Sequence, residues 1–480
     1  MKKSWLTYEE FGAAGDGFHD DTDAIAACHA TANAQALPVR ARDGAVYYLG
    51  GKANTAEIRT DTDFGTARFI VDDRAPETLT APIFHVGSDQ PRFTPAITSL
   101  RAGQRRVEFP HEGRVFVQVT SDEKRVYIRK GLNQNNGSDL SECFTVDGDG
   151  NVETTIDNDF RHITSAWARC IDDRPITVRG GFFETIANQY ESVYRYHHRG
   201  FSITRANVTV SGLTHTITCE GEHGAPYSGF LTVSATADVT IADCLLTPHY
   251  TYWTESQIPG QKVPMGSYDI SCSAAIRLSL LRVHQTIDIM DSRYWGLMGS
   301  NFCKDFRMED CVMSRFDAHC GVTNGVIRRC TLGHMCLNLI GHGDFLVEDT
   351  DAFGNALVNL REDYGCAFDG VLTIRNCCWR PQNGGGSVIY AYNTGDHDFG
   401  YVCAMPKRVV IDGLHILDGA GDGAPLYLLP DYDPDYAPGK PFAYVPAADV
   451  QVRGIETESG RPWSVCAKPD QYPELRVREL

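Results

Sequence analysis

Apolar residues alternate with polar ones in short bursts along this chain, and each burst ends at a polar corner followed by a small residue or Cys. The phrase reads Val239-Thr-Ile-Ala-Asp-Cys244, Phe306-Arg-Met-Glu-Asp-Cys311, Val326-Ile-Arg-Arg-Cys330, Phe345-Leu-Val-Glu-Asp-Thr350, Leu372-Thr-Ile-Arg-Asn-Cys377 and Val409-Val-Ile-Asp-Gly413. A looser copy occupies 276–281. Alternation with period two specifies strands, not helices. The tightest spacing between corners is about 20 residues, a solenoid period, and the wider steps leave room for loops. Strands repeated in this way bury one face against the coils above and below. The expected fold is all-β: a single-stranded right-handed parallel β-helix, with its main body at 166–480.

Two segments depart from the rhythm. In 1–84, Asp20 or Asp21 can cap a helix running to about Asn33, with Asp23 favourable in its first turn. That helix is expected to cover the first coils, so Asp16, Asp20 and Asp21 read as structural. Residues 85–165 carry short strands and turns such as Asn135-Asn-Gly-Ser, which predict an inserted β-rich module. Within it, Asp147-Gly-Asp-Gly-Asn151 has alternating oxygen side chains, as a calcium loop has, but reads better as a hairpin turn. The loop 247–267 brings His249, Tyr250, Tyr252 and Trp253, aromatics able either to stack on sugar faces or to plug a gap beside the coil. The stretch 425–446 reads as an irregular loop.

The opening Phe11-Gly-Ala-Ala-Gly-Asp-Gly-Phe-His-Asp-Asp-Thr22 resembles that of the pectate-lyase-like superfamily of right-handed β-helix proteins, in which a Gly-Asp-Gly loop and Asp-Asp-Thr begin the capping helix. The resemblance implies the fold. It leaves function open, because glycosidases, lyases and phage tailspikes share this opening.

Charge changes the picture next. With 44 basic and 62 acidic side chains the net charge is 44 − 62 = −18, which argues against nucleic acid as a partner. No run of about 18 apolar residues occurs, so no membrane span is expected. The N-terminus has no apolar signal core; the expected location is cytoplasmic, or secreted with a leader removed. Of 16 Cys, Cys244, Cys311, Cys330 and Cys377 fall on the repeat, where a small buried residue is wanted, and are expected to be reduced packing thiols. A homo-oligomer is compatible with all of this.

Equivalent positions of successive coils lie about 4.8 Å apart, so residues one coil apart can form one site. Ile287 and Ile289, Leu337 and Leu339, and Val358 and Leu360 are expected to point inward. Asp288, Asn338, Asn359 and Arg361 then point outward, with Asp317 and His319 at about the same height. Just beyond lie Asp291, Arg293, Tyr294, His342, Asp363 and Tyr364. This convergence of carboxylates, histidines and arginines is the expected site. His334 and Lys304 read as structural. Asp317, then Gly341-His342-Gly343, then Arg361 also resemble the order in polygalacturonases, without their Asp-Asp pair or Arg-x-Lys.

The leading expectation is a glycoside hydrolase acting on an oligo- or polysaccharide. Asp317 would work with Asp291 or Asp363 as acid and base, and His319 beside them. Arg293, Tyr294, His342, Arg361, Asn338, Asn359, Tyr364, Tyr252 and Trp253 would hold the sugar. No cofactor or metal is expected. The runner-up, a lyase or epimerase acting on uronides, admits a divalent cation such as Ca2+. The third reading is a non-catalytic, tailspike-like or structural solenoid.

Overall fold

The computed structural model describes residues 4–128, 136–193, 195–256, 258–296, 298–361, 368–391, 403–419, 423–431 and 444–480. Among them, one continuous sheet of 25 parallel strands winds into a right-handed β-helix. The register follows the repeat. Phe345 pairs with Leu372, Leu372 with Val409 and Val409 with Val450, all of them buried. The phrases at 276 and 326 stack out of step. Val239 pairs with Leu278, not Ile276, and Phe345 pairs with Gly325, not Val326. Gly325 takes an inward position between Phe306 and Phe345, and a Cβ there would come within 2.3 Å of the Phe345 ring.

The corner residues form an inner column. The Cys311 amide donates to the Cys330 sulfur at 3.5 Å, and the Cys330 amide donates to Thr350 Oγ1 at 3.3 Å. Cys244, Cys311, Cys330 and Cys377 are buried free thiols. Burial pushes the Cys377 thiol up to about 12, which suits a packing group and not a nucleophile.

The one α-helix among the described residues, Thr22–Gln35, lies over the first coils and buries Ile25, Cys28 and Ala32. Asp20 accepts from the Thr22 amide at 3.0 Å. Asp21 turns back and accepts from the Ala14 and Gly15 amides at 2.7 and 3.1 Å, tying the Gly-Asp-Gly loop to the helix. Among the described residues no helix is long and apolar enough to cross a membrane.

A separate four-stranded antiparallel sheet lies between Arg92 and Cys170 and has its own apolar core around Val117, Phe144 and Phe160. Asp147 accepts from the amides of Asp149 and Asn151, both at 2.9 Å, and so closes a turn of this module. A buried ion cluster fixes the module to the solenoid: Lys304 Nζ lies 2.6 Å from Glu142 and 3.0 Å from Asp157. Burial alone would depress the Lys304 amine, but these two carboxylates raise it above its ordinary value. Lys304 is structural, as expected.

Candidate functional site

On the solenoid face away from Lys304, the stacked outward positions read Gly299, Asp317, Asn338, Asn359 and Tyr390. Leu337, Leu339, Val358 and Leu360 fill the core behind them, as the alternation predicted. Ile287 and Ile289 do not join that core. They are half-buried, because 286–296 leaves the coil as a loop instead of continuing it.

The column is not uniform. Gly299 leaves room for the Tyr268 ring, whose hydroxyl donates to Asp317 Oδ2 at 3.1 Å. Arg315 pairs with Asp317 from the same strand, and Arg361 Nη1 reaches both carboxylate oxygens at 2.7 Å. Trp295 lies over the Arg315 guanidinium at 4.8 Å. Asp317 is therefore fully buried. Burial would push its carboxyl up, but Arg315 and Arg361 outweigh it and hold the value down to about 2. The expectation of an open Asp317 serving as acid or base is corrected by this geometry. A carboxylate sealed from solvent cannot touch a substrate, and one held at about 2 has no proton to give near neutral pH. Arg361 is likewise a floor residue engaged by Asp317 and not a ligand for sugar.

Above this floor opens a cleft of about 1180 Å³. Trp253, Tyr250, Trp295 and Tyr390 supply aromatic faces; Trp253 is 61% exposed. Asn338, Asn355, Asn359 and Gln382 supply amides, and Asn359 Nδ2 donates to Asn338 Oδ1 at 2.6 Å. Arg293 lines the cleft with its guanidinium locked on Asp291, Nη2 to Oδ2 at 2.6 Å, and it lies over the Tyr250 and Tyr294 rings. The hydrogen bond from Arg293 holds the Asp291 carboxyl below its ordinary value.

The carboxylate set most firmly into the wall is Glu220, which lies outside the site expected from the sequence. Its Oε1 accepts from Tyr252 Oη at 2.6 Å and the Tyr250 amide at 2.9 Å, and lies 3.0 Å from His249 Nδ1. His249 is in turn stacked on Tyr227 at 3.5 Å. Glu222 follows on the same wall and is exposed. The signal that could have found them was the acid-Gly-acid spacing beside an aromatic loop. Gln382 and Tyr390 carried no recognisable signal, whereas Trp295 ends the run 291–295 that the sequence places beside the column.

The aromatic loop itself is a hairpin, Tyr252–Glu255 against Lys262–Met265. Its two candidate sugar-binding rings divide. Trp253 faces the cleft, whereas Tyr252 is buried and holds Glu220. Tyr294 is also buried, and its carbonyl accepts from His334 Nε2 at 2.7 Å. His334 thus fastens the 286–296 loop, in keeping with a structural reading, while also lining the cleft.

Two expected members lie elsewhere. The strand Val312–Arg328 changes register between Asp317 and Cys320, and His319 Nδ1 meets Asn301 Oδ1 at 3.0 Å outside the cleft lining. His342 pairs in register with Thr323 and Asp369 and faces a second cavity, of about 420 Å³, beside Lys304 and Glu142. Neither can share a substrate atom with the cleft. Asp363 and Tyr364 lie outside the described residues. Among the described residues no cluster of three or more His, Cys, Asp or Glu has metal-binding geometry.

No protein-family model matches the chain, and no curated protein matches it in sequence. Solved structures do share its fold. The Pseudomonas phage phi297 tailspike gp61 is similar at TM-score 0.57 and 14% identity, over 95% of this chain and 81% of that one. The Gp54 tailspike of Acinetobacter baumannii bacteriophage AP22, in complex with A. baumannii capsular saccharide, is similar at TM-score 0.54 and 9% identity, over 98% and 79%.

Proposed function

We propose that this β-helix protein is a carbohydrate-active enzyme, a glycoside hydrolase that cleaves an oligo- or polysaccharide lying across the coils in the cleft. The observation that carries this reading is the composition of the cleft wall: aromatic faces, amides and a rigidly held carboxylate meet on one long surface. Rings such as Trp253 and Tyr390 offer flat apolar faces to pyranose C–H groups. Asn338, Asn359 and Gln382 match hydroxyls as both donors and acceptors. Hydrolysis needs two carboxyl groups about the scissile bond, one to protonate the leaving oxygen and one to act as base or nucleophile. Glu220, fixed by Tyr252, His249 and the Tyr250 amide, suits the stationary role. Glu222, exposed on the same wall, is the first candidate for its partner, and Asp291, held by Arg293 beside the cleft, is the second. The saccharide bound by a tailspike of the same fold supports the ligand class.

The lyase reading is weaker here, because the guanidinium that would neutralise a uronate, Arg293, is already engaged by Asp291. The deciding experiment incubates the protein with a polysaccharide panel and follows new reducing ends together with absorbance near 235 nm. New reducing ends without absorbance support the hydrolase. Absorbance supports elimination, and binding without either product supports a non-catalytic glycan receptor.

A further inference from the structure

We infer that the saccharide accepted by this cleft is uncharged where it passes Glu220, Glu222 and Asp291, so that its substrates are neutral glycans and not uronate-bearing ones. The inference rests on the reading of the cleft as a saccharide site. Two acidic side chains, Glu220 and Glu222, line the wall against one guanidinium, Arg293, whose charge Asp291 already balances from beside the cleft. Arg293 has its bidentate edge taken by Asp291 and cannot offer it to a substrate carboxylate. Its Nε and Nη2 both donate to Asp291, at 2.6–3.1 Å, and its face is covered by Tyr250. Two further guanidinium groups, Arg315 and Arg361, lie beneath the floor, and both are turned down onto Asp317.

The wall therefore offers no unengaged guanidinium among the residues lining it. A polymer with a carboxylate on each or every second ring would bring like charge to within a few ångströms of Glu220 and Glu222. That is a repulsion that Arg293, its charge already balanced by Asp291, offsets little, and salt weakens it. Amides have no such bias. They serve hydroxyl and acetamido groups equally well, by donating and accepting.

The test titrates the full chain with uronate-containing polysaccharides, with the same polymers after reduction of their carboxyl groups to primary alcohols, and with uncharged glucans and galactans. At least one uncharged or reduced polymer is expected to bind, and to bind at least about tenfold more tightly than its acidic parent at low salt. Added salt should shrink that ratio. Glu222→Gln should raise the affinity for the acidic parent. An acidic polymer that binds as tightly as its reduced form overturns the charge inference and leaves the saccharide reading standing. If no polymer binds, charged or uncharged, the saccharide reading falls, and this inference with it.

Discussion

Two carboxylate–arginine groups occupy neighbouring coils of the solenoid and could hardly differ more in what they do. Asp291 and Arg293 pair two residues apart on a loop, with the arginine side chain 64% exposed. Asp317 sits with Arg315 and Arg361 under Tyr268 and Trp295, with its own side chain at 0%. In the open pair, water screens both partners, and holding two side chains together gains little. In the closed group, each charge has lost its water and depends on the others. The same residue types at similar spacing make a solvent-facing surface pair in one place and a buried, mutually dependent cluster in the other.

The sharpest break of this comparison is Asp317→Asn. It keeps the shape but leaves two buried guanidinium groups uncompensated, and is expected to cost about 3–5 kcal/mol of folding stability, read as a drop in the urea or thermal midpoint. A variant that keeps its midpoint and loses turnover would return Asp317 to the catalytic group.

Acid probes the closed interior as a whole. Burial lowers His197 to about 4 and His29 to about 3, against an ordinary value of 6.5. The unfolded chain therefore binds more protons than the folded one below that value, so the stability these groups contribute is present above about pH 6.5 and is lost as pH falls toward 4 and 3. Asp317, held to about 2, contributes stability above roughly pH 4 that disappears on approach to pH 2. Unfolding midpoints measured from pH 7 to pH 3 should fall steadily. A flat profile would mean that these groups are hydrated.

The cleft side should respond in activity more than in stability. Glu220→Gln removes the fixed carboxylate while keeping its acceptor oxygen, and is expected to lower turnover at least about 100-fold on any glycan substrate. Trp253→Ala removes an exposed stacking face. It should weaken substrate binding by about tenfold, raising KM more than it lowers kcat, with the midpoint almost unmoved. Asp291→Asn should change stability by less than about 1 kcal/mol, the ordinary worth of an exposed pair. If it costs as much as Asp317→Asn, the contrast between the two groups collapses. It should also free Arg293 and improve binding of acidic polymers, which titration would detect.

Much of the architecture was legible in the residues alone. Alternation in phrases such as 345–350 and 372–377 assigned strand and inward face, because side-chain direction in a strand is a local, two-residue property. The spacing of corners assigned coils, and Asp20 and Asp21 marked the capping helix. The same local rule put Asn338 and Asn359 on one outward column, where the structure has them. It failed where the chain leaves the coil. Ile287 and Ile289 keep the alternation, yet the 286–296 loop does not follow it.

Which outward positions are wet was decided only by tertiary structure. Asp317 is dry because Tyr268, 49 residues earlier, fills the space that Gly299 leaves, and because Arg361, 44 residues later, folds back from the second coil beyond. Glu220 is fixed because His249 and Tyr252, some 30 residues on, are brought over it by a hairpin. His319 leaves this face because the strand shifts register after Asp317, and His342 because its strand stacks on Thr323 and Asp369, on the next face of the coil. Strand and inward face are encoded by neighbours in sequence. Burial, pairing and access to solvent are set by whatever other coils and loops place on top, and no periodicity within a coil records that.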